Sequence, residues 1–143
     1  MKNTKTTHAR VLLSLVGILL LLATLVACSA SSDPWDGAIY TEDTSLGEGA
    51  LTYTLLVTVE EHSVRLTVST DEKNLARALL LTGIVEGDDG EFGLYIKRVN
   101  GILADYDVNG AYWGVWVDGV AASTGAEGIT VEDGRTYELR YSK

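Results

Sequence analysis

The sequence has 143 residues, 20 of them acidic and 11 basic, for a net charge of −9. That balance argues against a nucleic-acid-binding surface and against an electrostatic grip on anionic headgroups. One Cys, Cys28, leaves no internal disulfide and no cysteine-based zinc site.

The chain opens with Lys2, Lys5 and Arg10, followed by a 17-residue apolar run from Val11 to Ala27 broken only by Ser14, Gly17 and Thr24. The run is short for a membrane-spanning helix and fits the hydrophobic region of a signal peptide. It ends in Leu25-Val26-Ala27-Cys28, which resembles the bacterial lipobox. Residues 1–27 are therefore expected to be a lipoprotein signal peptide. Cys28 would become the lipidated N-terminal residue of an extracytoplasmic protein anchored to a bacterial membrane. The competing reading is a plain secretory signal with an incidental Cys. Two or three acyl chains on one residue hold firmly, at ~0.8 kcal/mol per buried CH₂. Taking Lys2, Lys5 and Arg10 from the 11 basic residues leaves eight against 20 acidic ones, a net of −12.

Residues 28–49 are polar and contain the only Pro, Pro34. They read as the lipidated Cys and a tether that would span roughly 25 Å as a flexible coil. Trp35 and Tyr40 are unusual in a linker, so the second half of the tether is expected to dock. The folded domain is expected at residues 50–143. Leu51–Val59 and the alternating Val64, Leu66 and Val68 predict a β-hairpin joined by Glu60-Glu61-His62-Ser63. Ser69-Thr70-Asp71-Glu72 has the pattern of a capping box. Leu75, Ala76, Leu79 and Leu80 then follow at helical spacing, with Gly83 at the C-terminal cap, and this is the one helix expected in the domain. Phe92–Val99, Tyr112–Val117 and Thr136–Tyr141 predict strands. They lie among the turn dipeptides Asp89-Gly90, Asn100-Gly101, Asn109-Gly110, Asp118-Gly119 and Asp133-Gly134. The order predicts an α+β fold, one helix on a mostly antiparallel sheet.

Asp105-x-Asp107-x-Asn109-Gly110 matches the first half of a calcium loop, but the twelfth position is Trp116, which offers no oxygen. A turn whose Asx side chains bond their own backbone is the better reading, so no metal site is expected. His62 is the one His beyond the signal region, placed at a hairpin tip where solvation is expected. Asp88/Asp89 and Glu132/Asp133 fall in Gly-flanked turns. No nucleophile–base set or phosphate loop emerges, so no enzyme activity, catalytic residue or required cofactor is expected. Alternation sends Trp113, Val115 and Val117 to the core face of their strand, and Tyr112, Gly114 and Trp116 to the other. That second face is either covered by packing, with Trp35 as one candidate cover, or open. If open, Gly114 between two aromatics would let a flat ligand approach the backbone.

From about Leu51 to Tyr141 the chain resembles the transcobalamin-like C-terminal domain of bacterial surface proteins and lipoproteins. Four motifs in one order carry the resemblance: Phe92–Asp107, Ala111–Gly119, Ser123–Gly134 and Thr136–Tyr141. It implies a small β-grasp-like domain and cobalamin as the candidate ligand. In the carriers, a second, helical domain covers the other side of the ligand. By position it implies Gly114, Val115 and Trp116 as the ligand-facing segment, beside Tyr112. The implied function is a lipid-anchored corrinoid-binding module acting with a partner domain or a membrane transporter. The alternative is a surface interaction or structural module that binds protein or glycan.

Overall fold

The structure is a computed structural model that describes residues 33–143. Cys28 and the signal segment lie outside the described residues. Asp33–Lys143 form one compact unit, mostly β.

A six-stranded sheet has the order β1-β3-β2-β9-β7-β8. Its strands are β1 (Thr44–Leu46), β2 (Leu51–Val59), β3 (His62–Thr70), β7 (Tyr112–Val117), β8 (Val120–Ala121) and β9 (Thr136–Ser142). A three-stranded antiparallel sheet holds β4 (Val85–Gly90), β5 (Gly93–Val99) and β6 (Ile102–Leu103). Helix α1 is Leu75–Leu81, and a single turn, α2, is Tyr106–Asn109. Two strand pairs are parallel, β1 with β3 and β2 with β9; the other ladders are antiparallel.

The period-2 pattern of β2 and β3 produces their register. Tyr53 faces Val68, Leu55 faces Leu66 and Val57 faces Val64, so the middle of one face of the hairpin is apolar and buried. Tyr137 and Leu139 of β9 pair with Leu55 and Val57 and extend that face. Leu75, Ala76, Ala78 and Leu79 of α1 belong to the same core, as do Ile96, Val99 and Ile102. Each fully buried Val or Leu contributes about 1.5–3 kcal/mol.

Three local expectations are corrected. The hairpin turn is Glu60-Glu61 alone, because His62 already pairs with Val59 and Glu60 takes a positive φ of 52°. Ser69 and Thr70 stay in β3, and the helix is capped instead by Asn74, whose Oδ1 accepts the Arg77 N–H. Strand pairing with β2 continues through Thr70 and outcompetes the capping box. Asp89-Gly90 is not the turn; those residues pair with Leu94 and Gly93, which leaves Glu91-Phe92 as the hairpin tip. Gly83, at φ 73°, does close the helix.

The tether docks from its first described residue. Pro34–Gly37 form a 3-10 turn that starts on the Asp33 carboxylate. The Trp35 ring stacks on His62, with centroids 5.3 Å apart and planes 11° apart. Buried Asn100 clasps Tyr40, accepting its N–H and donating to its carbonyl, each at 2.8 Å. Ile39 N–H donates to the Asn100 carbonyl, and β1 then adds to the edge of β3.

Two tyrosines in the core differ in one respect. Their rings meet edge to face at 5.3 Å. The Tyr137 hydroxyl donates to the Thr130 carbonyl and accepts the Glu132 N–H. The buried Tyr53 hydroxyl has no partner among the described residues. Tyr137→Phe is therefore expected to cost about 1–3 kcal/mol, since it strands two backbone groups, whereas Tyr53→Phe should be neutral or stabilising. Urea unfolding of the two variants checks this.

Candidate functional site

The helix and the second sheet share a core with one face of the six-stranded sheet. The other face carries the alternate residues of β2, β9 and β7. Their register sets Leu56 beside Glu138 and Thr58 beside Arg140, then Glu138 beside Trp116, Arg140 beside Gly114 and Ser142 beside Tyr112.

Trp113 is core, 7% exposed and edge-to-face with Tyr141 at 5.7 Å. Its indole N–H is buried and has no partner among the described residues. Val115 is half-buried against the core, so it lies on the Trp113 side and not beside Tyr112. Tyr112 is exposed and Trp116 half-buried on the open face. Of the four residues that the sequence marks for a ligand, the structure therefore places Tyr112, Gly114 and Trp116 on one face and Val115 on the other.

Gly114 does not offer free backbone. The Trp116 ring folds back over it, so a Cβ at position 114 would meet ring atoms Cζ3 and Cη2. The flat group that approaches this glycine is the protein's own indole. Trp35 does not cover these rings; it covers His62, which is thereby a stacking partner and not a freely solvated tip residue.

Sequence reasoning missed Arg140 and Glu138. The Arg140 guanidinium lies 4.5 Å from the Trp116 ring centroid. Its Nε and Nη2 donate to Glu138 Oε1 and Oε2 at 2.7 and 2.8 Å. Thr58 Oγ1 adds a third bond to Glu138. The Arg140 hydrogen bonds hold the Glu138 carboxyl below the ordinary carboxylate value, and the Glu138 carboxylate in turn raises Arg140. Alternation along Thr136–Tyr141 sets Glu138 and Arg140 on one face of their strand, but only the β7–β9 register shows that face to be the one of Trp116.

The Asp105–Gly110 loop is the self-bonded turn expected from sequence, tightened into one helical turn. Asp105 Oδ1 accepts the Asp107 N–H, and Asn109 Oδ1 accepts the N–H groups of Asp105 and Ala111. Lys97 bridges Asp105 and Asp88 at 3.1 and 2.8 Å. Its hydrogen bond lowers the Asp105 pKa, and the two carboxylates raise that of Lys97.

The fold and this surface define a small β-rich domain with a solvent-facing sheet. Residues 72–143, half of the chain, match the family described as "Domain of unknown function (DUF4430)", and the chain belongs to that family. No curated protein matches it. Among solved structures it is similar to a proposed metal-binding protein from Ruminococcus gnavus ATCC 29149. That protein is 28% identical with a TM-score of 0.61, and the match covers 66% of this chain and 98% of that one. It is also similar to haptocorrin in complex with Cbi, at 23% identity and a TM-score of 0.49. That match covers 65% of this chain and 25% of haptocorrin.

Trp113→Ala is expected to cost about 3–5 kcal/mol, as large-to-small core changes do. Trp116→Ala should cost only about 1–2 kcal/mol, from partial burial and one cation–π contact. Gly114→Ala should displace the indole and red-shift its emission. Melting curves and tryptophan fluorescence read these outcomes.

Glu138 also predicts a pH dependence. Its folded pKa is depressed, so its contribution is present above the ordinary value of 4.5 and is lost as pH falls below it through the folded value. The stability gap between wild type and Glu138→Gln should therefore shrink from about pH 7 to about pH 3 in urea unfolding. A gap that widens in acid would contradict the assignment.

Proposed function

We propose that the protein is a lipid-anchored extracytoplasmic binding module without catalysis of its own, and that the open β7–β9 face is its ligand surface. The observation that carries the reading is the stack of Trp116 and Arg140 beside exposed Tyr112. Glu138 holds Nε and Nη2 of Arg140, which orients the guanidinium; Nη1 bonds no acceptor among the described residues and is left for one on a ligand. A guanidinium held flat over an indole, with the exposed Tyr112 on the same face, suits a broad flat ligand with a rim of neutral amides. A corrinoid has that chemistry, and it is the ligand that the transcobalamin-like motifs imply. The hairpin–helix–strand order, with β2 parallel to the last strand, supports a β-grasp-like reading of the domain. One such domain supplies one side of a corrinoid site, so a partner domain or transporter completes it. The anchor is Cys28.

Binding of protein or glycan is the second reading. The 91% exposed Phe92 at the tip of the β4–β5 hairpin favours it. Among the described residues of this chain, no three His, Cys, Asp or Glu residues are grouped so as to hold a metal ion.

Titration with hydroxocobalamin, read by absorbance and calorimetry, tests the ligand. Saturable binding that Trp116→Ala weakens and Phe92→Ser leaves unchanged is the expected result; no binding by folded wild type would sink the corrinoid reading. Cys28→Ala should move the protein from the membrane to the soluble fraction and abolish palmitate labelling.

A further inference from the structure

Strand register gathers several separate features at one end of the six-stranded sheet. The β2–β3 hairpin closes at Glu60-Glu61, where Val59 pairs with His62. β9 runs parallel to β2 with Thr58 beside Arg140, so Ser142 and Lys143 emerge at that end. β7 is antiparallel to β9 with Tyr112 beside Ser142, so it begins there, directly after α2. Trp35, stacked on His62, brings the start of the described chain to the same end. The Asp118-Gly119 turn closes the opposite end, six residues along β7 from Tyr112 and roughly 20 Å away at about 3.3 Å per residue.

We infer that the end bearing Trp35, Glu60-Glu61, Tyr106, Val108 and Tyr112 is the membrane-facing end of the domain. The inference rests on Cys28 being the lipid anchor. Only Ser29–Ser32 separate Cys28 from Asp33, and a chain of that length spans at most ~17 Å. The expected tether of residues 28–49 is much longer, but its described part is bound. Asp33 caps Trp35, Trp35 lies on His62, Asn100 clasps Tyr40, and β1 is paired to β3. Lengthening the leash would mean breaking these contacts in turn, beginning with Trp35 on His62.

The chemistry of this end suits a lipid surface. Tyr106, Val108 and Tyr112 are 68%, 69% and 48% exposed. Amphipathic aromatic side chains favour the headgroup level, where the ring is sheltered and the hydroxyl wet. Asp36, Glu60, Glu61 and Asp107 lie at the same end and repel anionic headgroups. Salt screens that repulsion within about 8 Å at physiological ionic strength. Contact with an anionic bilayer should thus tighten as salt rises, the reverse of a basic patch. This orientation would put the Tyr112 side of the proposed ligand surface at the level of a membrane-embedded partner.

Lipidation consumes the Cys28 thiol, so a cysteine introduced elsewhere is the only labelling site. Glu61→Cys and Val120→Cys, both at exposed positions on opposite ends, would carry a thiol-reactive fluorophore in the full-length acylated protein. The protein would be reconstituted into phosphatidylcholine vesicles that contain a headgroup-spin-labelled lipid. The expected result is strong quenching at position 61 and little at position 120. With phosphatidylglycerol added, quenching at position 61 should deepen as salt rises. Equal quenching at both positions in protein that floats with the vesicles overturns the orientation while leaving the anchor intact. Protein that does not float overturns the anchor, and the orientation with it.

Discussion

The parallel pairing of β2 with β9, from Thr54 beside Thr136 to Thr58 beside Arg140, ties the first long strand to the last. Neither strand is at an edge: β3 lies outside β2, and β7 lies outside β9. β7 and β8 join the sheet only through β9, so the proposed ligand surface exists only once this long-range contact is made. Closing so long a loop costs chain entropy. The apolar face shared by Leu55, Val57, Tyr137 and Leu139 offsets it by removing four large side chains from water.

The same pairing organises the polar side of the sheet. Glu138 sits between β2 and β7, where Thr58 reaches it from one side and Arg140 grips it with two donors. A carboxylate only 7% exposed would be costly if left unpaired. Satisfied in this way, it holds Arg140 against Trp116. The indole completes the arrangement by lying over Gly114, where any side chain would displace it. The surface is therefore pre-formed by its own contacts, and what it offers a ligand is the stacked guanidinium and indole and not bare backbone at Gly114.

A second set of contacts converts a linker into part of the fold. Asn100 adopts φ 52° at the β5–β6 turn and turns its amide to the Tyr40 backbone, so that it acts as one rung of a ladder. Trp35 makes a stacking partner of His62, a residue with no chemical role of its own in the sequence. The pairing of β1 then gives β3 a neighbour and shortens the exposed edge of the sheet.

Where the physics is local, the sequence by itself determined the outcome. Alternation in Leu51–Val59 and Val64–Val68 fixes which face is buried, because the strand period is two. Helical spacing with Gly83 places α1, and the Asx residues of Asp105–Gly110 specify their own turn. Trp113 is in the core, as its apolar neighbours require. Tertiary structure decided whatever depends on competition between distant partners. Strand pairing took Ser69 and Thr70 away from the helix cap, and hairpin register moved the turn from Asp89-Gly90 to Glu91-Phe92. It also settled what surrounds Gly114, because Trp116, the group over it, is distant in sequence from Glu138 and Arg140 and meets them only across the ladder between β7 and β9. Periodicity reports which face a side chain takes; which neighbours it finds on that face is a matter of register, and register is set by the packing of the whole sheet.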